Sequence, residues 1–337
     1  MKEAMLYRQL DEKRVHCFLC SQQCRIEPDE TGKCGVRQNR EGRLLSLVYG
    51  KLIAQNVDPV EKKPLFHFFP GTTSYSIATV GCNFECVFCQ NADISQSPRL
   101  YGGIYGRSVS AEEVAGQAQK EGCATISYTY TEPTIFMEYA LDVAALAKER
   151  GLANIFVTNG YMSKEALDAA APFLGAANVD LKSFNDSFYR VQCGARLKPV
   201  LVTLEGIKAK GIWLEVTTLI IPDLNDSEAE LKEIAKFLVG LGPETPWHVS
   251  RFHPAYRLND RGATPVETLR KARQIGLEAG LRYVYTGNVP GDDGENTFCH
   301  ACGAVLIGRM GYSIRKKNLK NGSCAKCQTL LAGVGLD

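Results

Sequence analysis

Seven short apolar runs recur along the middle of the chain: YSIATV (75–80), TISYTY (125–130), NIFVTN (154–159), ANVDLK (177–182), WLEVTTLII (213–221), WHVSRF (247–252) and RYVYTG (282–287). Their length and β-branched content suit strands buried on both faces. Helical stretches separate them, about 111–121, 135–150, 163–172, 199–210, 227–240 and 265–279. Ser110 with Glu113, and Ser227 with Glu230, have capping-box spacing. Gly122, Gly151, Gly211 and Gly280 each follow a helical run, where a left-handed terminal residue favours glycine. The alternation predicts an α/β fold with a parallel sheet, either closed or part-closed as a barrel or open and doubly wound. Both arrangements gather function at the carboxyl ends of the strands. Polar residues stand there: Gly81 and Cys82 after the first run, Thr131 and Glu132 after the second, Asn159 closing the third, Asp180 and Lys182 the fourth, and His253 after the sixth.

The rest divides around this core. Residues 1–72 form a cysteine-rich lead-in with a segment, RLLSLVYGKLIAQ, that alternates like a small strand pair, and a Pro-rich link, DPVEKKPLFHFFPG. Residues 73–290 carry the strand–helix repeat, and 291–337 carry two CxxC pairs. No apolar run reaches membrane-spanning length, and the opening MKEAMLYRQLDEKR lacks the apolar core of a secretory signal, so a cytoplasmic location is expected. A formal net charge of +2 over 337 residues argues against bulk nucleic-acid or membrane-surface binding. The basic stretch Arg315, Lys316, Lys317 and Lys320 reads as a solvated face.

Thirteen cysteines change the picture. In a long intracellular chain, clustered cysteines point to metal ligation rather than disulfides. Cys299, Cys302, Cys324 and Cys327 form two CxxC knuckles with zinc-ribbon or rubredoxin-like spacing, a closed shell of four thiolates for zinc. Cys17, Cys20, Cys24 and Cys34 also count to four and suit zinc or an auxiliary cluster, with ligation shared between the two ends of the chain as an alternative. Cys82, Cys86 and Cys89 are one thiolate short of a closed zinc site. A cubane [4Fe–4S] cluster fits such a set, with its fourth iron open to a small molecule. Cys123 reads as core. Cys193, beside Gly194, reads either as a hydrogen donor to a substrate radical or as a small buried residue.

The loop GCNFECVFCQN resembles the CxxxCxΦC signature of the radical S-adenosylmethionine (SAM) superfamily, with Phe88 at the aromatic position. The resemblance implies a partial (β/α)6 TIM-type barrel and SAM bound at the open iron. It also implies one-electron cleavage of SAM to a 5′-deoxyadenosyl radical, which abstracts hydrogen from a protein, peptide or small-molecule substrate. An electron donor such as ferredoxin or flavodoxin is implied as well. Among its members the chain is similar to the glycyl-radical-enzyme activating proteins, such as pyruvate formate-lyase activase. By that similarity Phe88 packs beside the adenine and Glu132 receives the SAM amino group. Asn159 belongs to a TNG element, Asp180 and Lys182 to a DLK element whose lysine pairs with the SAM carboxylate, and His253 lies near the ribose. The activases carry Gly-Gly-Glu where this chain has Tyr130-Thr131-Glu132, a departure that touches the backbone contact and not the carboxylate.

Over nearly its full length the chain resembles the radical SAM member of the AmmeMemoRadiSam three-protein system. The carrying features are HCFLCSQQCRI, DPVEKKPLFHF, YTYTEPTIF, YTGNV and CHACGAVLIGRMGY. That resemblance implies MEMO-like and Ammecr-like partners and leaves the substrate open, with a glycyl radical enzyme as one alternative. RNA modification and a metal-stabilised scaffold are the competing classes. The mild charge, and the lack of a basic stripe interleaved with aromatics, argue against the first. A scaffold has no reason to leave a cluster site one ligand short.

Overall fold

Residues 1–336 are described by a computed structural model. Its centre is one eight-stranded sheet: β1 (Ala54–Pro59), β2 (Thr73–Ala78), β3 (Thr125–Tyr128), β4 (Ala153–Thr158), β5 (Leu174–Asp180), β6 (Trp213–Ile220), β7 (Trp247–Arg251) and β8 (Val284–Gly287). Strands β2 to β8 follow one another in sequence order, and every neighbouring pair is parallel. Six crossover helices join them: α1 (Ala111–Lys120), α2 (Met137–Glu149), α3 (Lys164–Ala170), α4 (Leu197–Ala209), α5 (Glu228–Leu241) and α6 (Val266–Glu278). The edge strands β1 and β8 do not pair with each other, so the barrel is open. This is a partial (β/α)6 barrel.

Local chemistry accounts for the elements. β3 is buried at every residue, as a strand covered on both faces requires. Ser110 and Glu113 close a reciprocal capping box at the start of α1. Ser227 accepts the Glu230 N–H at the start of α5. Gly122, Gly151, Gly211 and Gly280 all end helical runs with positive φ.

The lead-in differs from its alternating pattern. Of the segment 43–55, Arg43–Ser46 pairs as a hairpin with Arg37–Arg40, which precedes it. The later part becomes β1, which joins the barrel sheet antiparallel to β2. The sheet therefore starts at Ala54, ahead of residue 73. Two small three-stranded antiparallel sheets build the amino-terminal lobe, and another forms the core of the carboxy-terminal module.

The Pro-rich link seals the barrel at the amino ends of its strands. Glu215 on β6 accepts from the backbone N–H groups of Phe66 (3.0 Å) and His67 (2.8 Å), from Trp213 Nε1 (3.1 Å) and from His248 (2.7 Å). Arg309 of the carboxy-terminal module donates to the Phe66 carbonyl at 2.8 Å and lies over the Phe66 ring. His67 Nδ1 faces the Ala332 carbonyl at 2.7 Å and must donate, so Nε2 accepts from the Tyr285 hydroxyl at 2.5 Å. This end of a barrel contributes stability, which leaves the opposite rim for chemistry.

The seal makes stability acid-sensitive. Burial holds the His67 imidazole down at about 4, against an ordinary histidine near 6.5. A lowered folded pKa means that the unfolded chain takes up the proton first as pH falls. Stability is therefore lost between about pH 6.5 and 4, with about 2 kcal/mol gone at pH 5 relative to pH 7. Urea unfolding at the two pH values should show that difference in the natural chain, and His67→Gln should show a smaller one.

Candidate metal centre at the barrel mouth

β2 delivers the chain to the carboxyl rim, where Gly81 turns it with φ +99° into the cysteine loop. A Cβ at Gly81 would stand 2.6 Å from Val36 Cγ1 and 3.0 Å from the Cys34 carbonyl. Only glycine permits this approach. The loop is then pinned from three sides. Glu85 N–H donates to the Cys193 carbonyl (2.9 Å) and Val87 N–H to the Gln192 carbonyl (3.0 Å). Arg257 N–H donates to the Val87 carbonyl at 2.9 Å. Arg99 donates to the carbonyls of Lys33 (2.7 Å), Cys82 (3.3 Å) and Phe84 (2.5 Å).

The three thiols lie in a setting that suits soft metal ligands. Cys82 Sγ accepts from the Phe84 N–H (3.4 Å) and from Asn159 Nδ2 (3.8 Å), and Cys89 Sγ lies 3.3 Å from the Ser95 hydroxyl. Donors to sulfur are what tunes an iron–sulfur site. Burial, then the charge of Glu132, pushes the Cys82 thiol well up. Cys86 is raised first by the facing Cys193 thiol and then by burial. Cys89 rises through burial, opposed by Ser95. Without a cation these sulfurs stay protonated, and loading a metal group expels protons.

The rim residues singled out by sequence converge on this loop, in unequal ways. Glu132 is 1 % exposed. Its Oε1 accepts from Thr134 N–H (3.1 Å), Thr134 Oγ1 (2.5 Å) and Thr158 Oγ1 (2.7 Å), and Oε2 accepts from Asn159 N–H (2.8 Å). Burial raises its pKa against those bonds. Asn159 Nδ2 also reaches Asn83 Oδ1 at 2.7 Å. Lys182 pairs with Asp180 at 2.8 Å, and its ammonium lies 5.9 Å from the Phe88 ring centroid. Burial works against the Lys182 charge, but Asp180, Cys86 and Cys193 outweigh it and hold the pKa well above the usual lysine value. Phe88 is buried, tilted against Phe188 at 5.8 Å. His253 is exposed and lines a rim pocket with Gln90 and Asn288, beyond the Cys89 end of the loop. Cys193 has no exposed surface and ends the turn Tyr189–Cys193 against Cys86.

Tyr130 explains the missing glycines. It adopts φ +63°, a left-handed conformation uncommon outside glycine. Its hydroxyl donates to Asp58, Lys63 Nζ lies 4.8 Å from its ring centroid, and its carbonyl accepts from Asn91 Nδ2 at 2.8 Å. The turn is thus enforced by anchors rather than by a small residue.

At the far end of the chain Cys299, Cys302, Cys324 and Cys327 bring their sulfurs within 4.8 Å of one another. Cys299–Cys327 is 3.5 Å and Cys302–Cys324 is 3.7 Å. Tetrahedral zinc with Zn–S near 2.3 Å sets edges of about 3.8 Å, so the donor set fits one ion. Hydrogen bonding to Thr329, then to neighbouring thiols, holds Cys327 down at about 6. His300 points to Tyr283 at 3.2 Å and stands outside the four. Cys17, Cys20, Cys24 and Cys34 line a separate cavity beside Asn83. Cys123 is buried.

Residues 76–238 match the model of the radical SAM superfamily. The chain belongs to the radical SAM superfamily. It is 47 % identical over 320 residues to an uncharacterised protein of Methanocaldococcus jannaschii, MJ0808, with 95 % of each chain covered. It is 20 % identical over 214 residues to the pyruvate formate-lyase-activating enzyme of Clostridium pasteurianum, covering 60 % of this chain and 87 % of that protein. Among solved structures, Streptococcus suis SuiB bound to S-adenosylmethionine aligns at TM-score 0.51 and 13 % identity, covering 68 % of this chain and 53 % of that one, which shows the shared fold. Membership implies a [4Fe–4S] cluster and SAM, and the three splayed thiols with their sulfur donors fit the former.

Sequence reasoning missed Asn83, Ser95 and Arg99, and met Tyr130 only as a departure from Gly-Gly-Glu. Asn83 lies inside the cysteine signature and could have been noticed, whereas Arg99 has no pattern and acts through the carbonyls of Lys33, Cys82 and Phe84 together with the side chains of Gln96 and Glu85. Gly81→Ala combines a left-handed φ with a backbone clash. We expect a loss of about 2–4 kcal/mol in urea unfolding and reduced iron per chain after anaerobic reconstitution, while the same change at exposed Gly102, which has open space around it, should leave iron content unchanged.

Proposed function

We propose that this radical SAM enzyme holds its cluster on Cys82, Cys86 and Cys89, binds SAM against the neighbouring rim, and directs hydrogen abstraction at a residue of a protein or peptide. The cluster, when bound and reduced by a donor such as ferredoxin or flavodoxin, supplies the electron that splits SAM into methionine and a 5′-deoxyadenosyl radical. The observation that supports this reading is the meeting of three thiols, a buried carboxylate and a largely covered ammonium at one rim.

Each side chain has a physical task in this reading. Glu132 Oε2 accepts one bond and keeps a lone pair for the SAM ammonium. Lys182, oriented by Asp180, faces the SAM carboxylate in a charge-assisted pair. Asn159 ties Glu132 to Cys82 and so fixes the distance between ligand and cluster. Phe88 and Phe188 form an apolar wall for the adenine, and His253 stands at the open side for the ribose. Cys193, with no exposed surface, would serve as a hydrogen donor only after the turn Tyr189–Cys193 moves. The four carboxy-terminal thiols hold zinc as a structural ion.

The similarity to a pyruvate formate-lyase-activating enzyme supports a second reading, in which the protein substrate is a glycyl radical enzyme. The resemblance to the AmmeMemoRadiSam system supports MEMO-like and Ammecr-like proteins as partners.

Oxygen-free protein with a full cluster, dithionite and SAM should release 5′-deoxyadenosine and methionine in equal amounts. A full cluster that leaves SAM intact would overturn the reading. Glu132→Gln and Lys182→Met should keep their iron, raise the KM for SAM, and lower kcat/KM about tenfold or more. A glycine-centred radical in a co-incubated glycyl radical enzyme, read by electron paramagnetic resonance, would decide for the second reading.

A further inference from the structure

The amino-terminal cysteines are brought together by two elements. Cys17 ends the strand Val15–Cys17, and Cys24 precedes Arg25–Ile26, with the Cys17 N–H bonded to the Cys24 carbonyl at 2.9 Å. Cys20 is bridged to Met162 of the barrel. Cys34 lies on the loop that presses against Gly81. All four line a small, largely enclosed cavity, which Asn83 and Ile135 of the barrel close from the other side. Each sulfur already receives a backbone N–H: Leu19 to Cys17, Gln22 to Cys20, Lys33 to Cys24 and Val36 to Cys34. That pattern prepares thiolates as ligands.

Two observations separate the possible occupants. The first is spacing. The carboxy-terminal sulfurs gather within 4.8 Å as a single ion requires, and among the described residues the amino-terminal ones do not. In this they match the splayed thiols of the barrel loop. The second is a set of orphaned donors. Arg37 lines the cavity and is 1 % exposed. Its Nη2 bonds the Met5 carbonyl and Glu138, while Nε and Nη1 have no partner. Asn83 also lines the cavity, with no exposed surface, and its Nδ2 has no partner. Buried donors left unpaired are costly, because they lose their water without gaining a partner. A single zinc within four thiolates offers these N–H groups no further acceptors. An iron–sulfur cluster presents inorganic sulfides as acceptors for them.

We propose that Cys17, Cys20, Cys24 and Cys34 ligate a second iron–sulfur cluster, with Arg37 and Asn83 donating to its sulfides. Asn83 adjoins Cys82 in sequence, and its Oδ1 accepts from Asn159. The second cluster therefore shares a residue with the barrel centre. The proposal is independent of SAM chemistry at the mouth.

The test uses the full chain carrying Cys82→Ala, Cys86→Ala and Cys89→Ala, purified and reconstituted without oxygen. We expect a brown protein with iron and acid-labile sulfide in equal number, about four each for a cubane, together with about one zinc. Adding Cys20→Ala and Cys24→Ala should abolish the iron and leave the zinc. About two zincs with no sulfide, or no metal at the amino-terminal group, overturns the proposal. Should the triple variant fail to fold, the natural chain decides: about eight irons and one zinc support a second cubane, and about four irons and two zincs exclude it. Arg37→Met should shift the reduction midpoint of the remaining cluster in the triple variant, a readout that a purely structural arginine would not move. SAM cleavage, assayed on the natural chain, stands or falls separately.

Discussion

A bare backbone at residue 81 sets how near the amino-terminal lobe can come to the first loop of the barrel. The Cys34 carbonyl and Val36 lie where any side chain at that position would have to go. Because they do, Lys33 comes within reach of Arg99, Gln22 donates to the Asn83 carbonyl at 2.8 Å, and the Cys82 loop is braced from outside the barrel. The lobe is thus part of the wall of the site, and two groups of cysteines are built around one contact.

The two ends of the barrel handle charge differently. At the amino ends, Glu215 spends its oxygens on four protein donors, and Arg309 lies beside Glu61 with both side chains fully buried. These groups fasten the carboxy-terminal module and are closed to ligands. At the carboxyl ends the charges are incompletely used. Glu132 Oε2 takes one bond, and Lys182 has one carboxylate beside Cys86 and Cys193. A rim with spare acceptors and a spare cation suits a zwitterion, whereas the sealed end suits only itself.

Much of this was legible along the chain. Seven apolar runs and six helical stretches appear as seven parallel strands and six crossovers, because strands buried on both faces leave an unbroken apolar signal. The spacing of Cys82, Cys86 and Cys89 put three thiols on one loop after a strand, and the structure has that loop after β2 at the carboxyl rim. β1 was obscured since an antiparallel edge strand with exposed residues such as Asn56 and Val57 carries no such run. Arg37, Arg99 and Asn83 matter through contacts that no local pattern encodes, and cysteine spacing of the amino-terminal group does not report the width of the space between the sulfurs. Tyr130 was visible only as a departure; its left-handed φ and the anchors behind it are tertiary facts.

Those anchors have a mechanical meaning. Asp58 is clasped by Lys62 and Lys63, and the Tyr130 hydroxyl closes the knot. A glycine in the same backbone state would swivel freely, but a tyrosine tethered at its tip cannot. This sector of the rim therefore acts as a strut, and whatever flexing admits a bulky substrate must come from segments that lack such a tie.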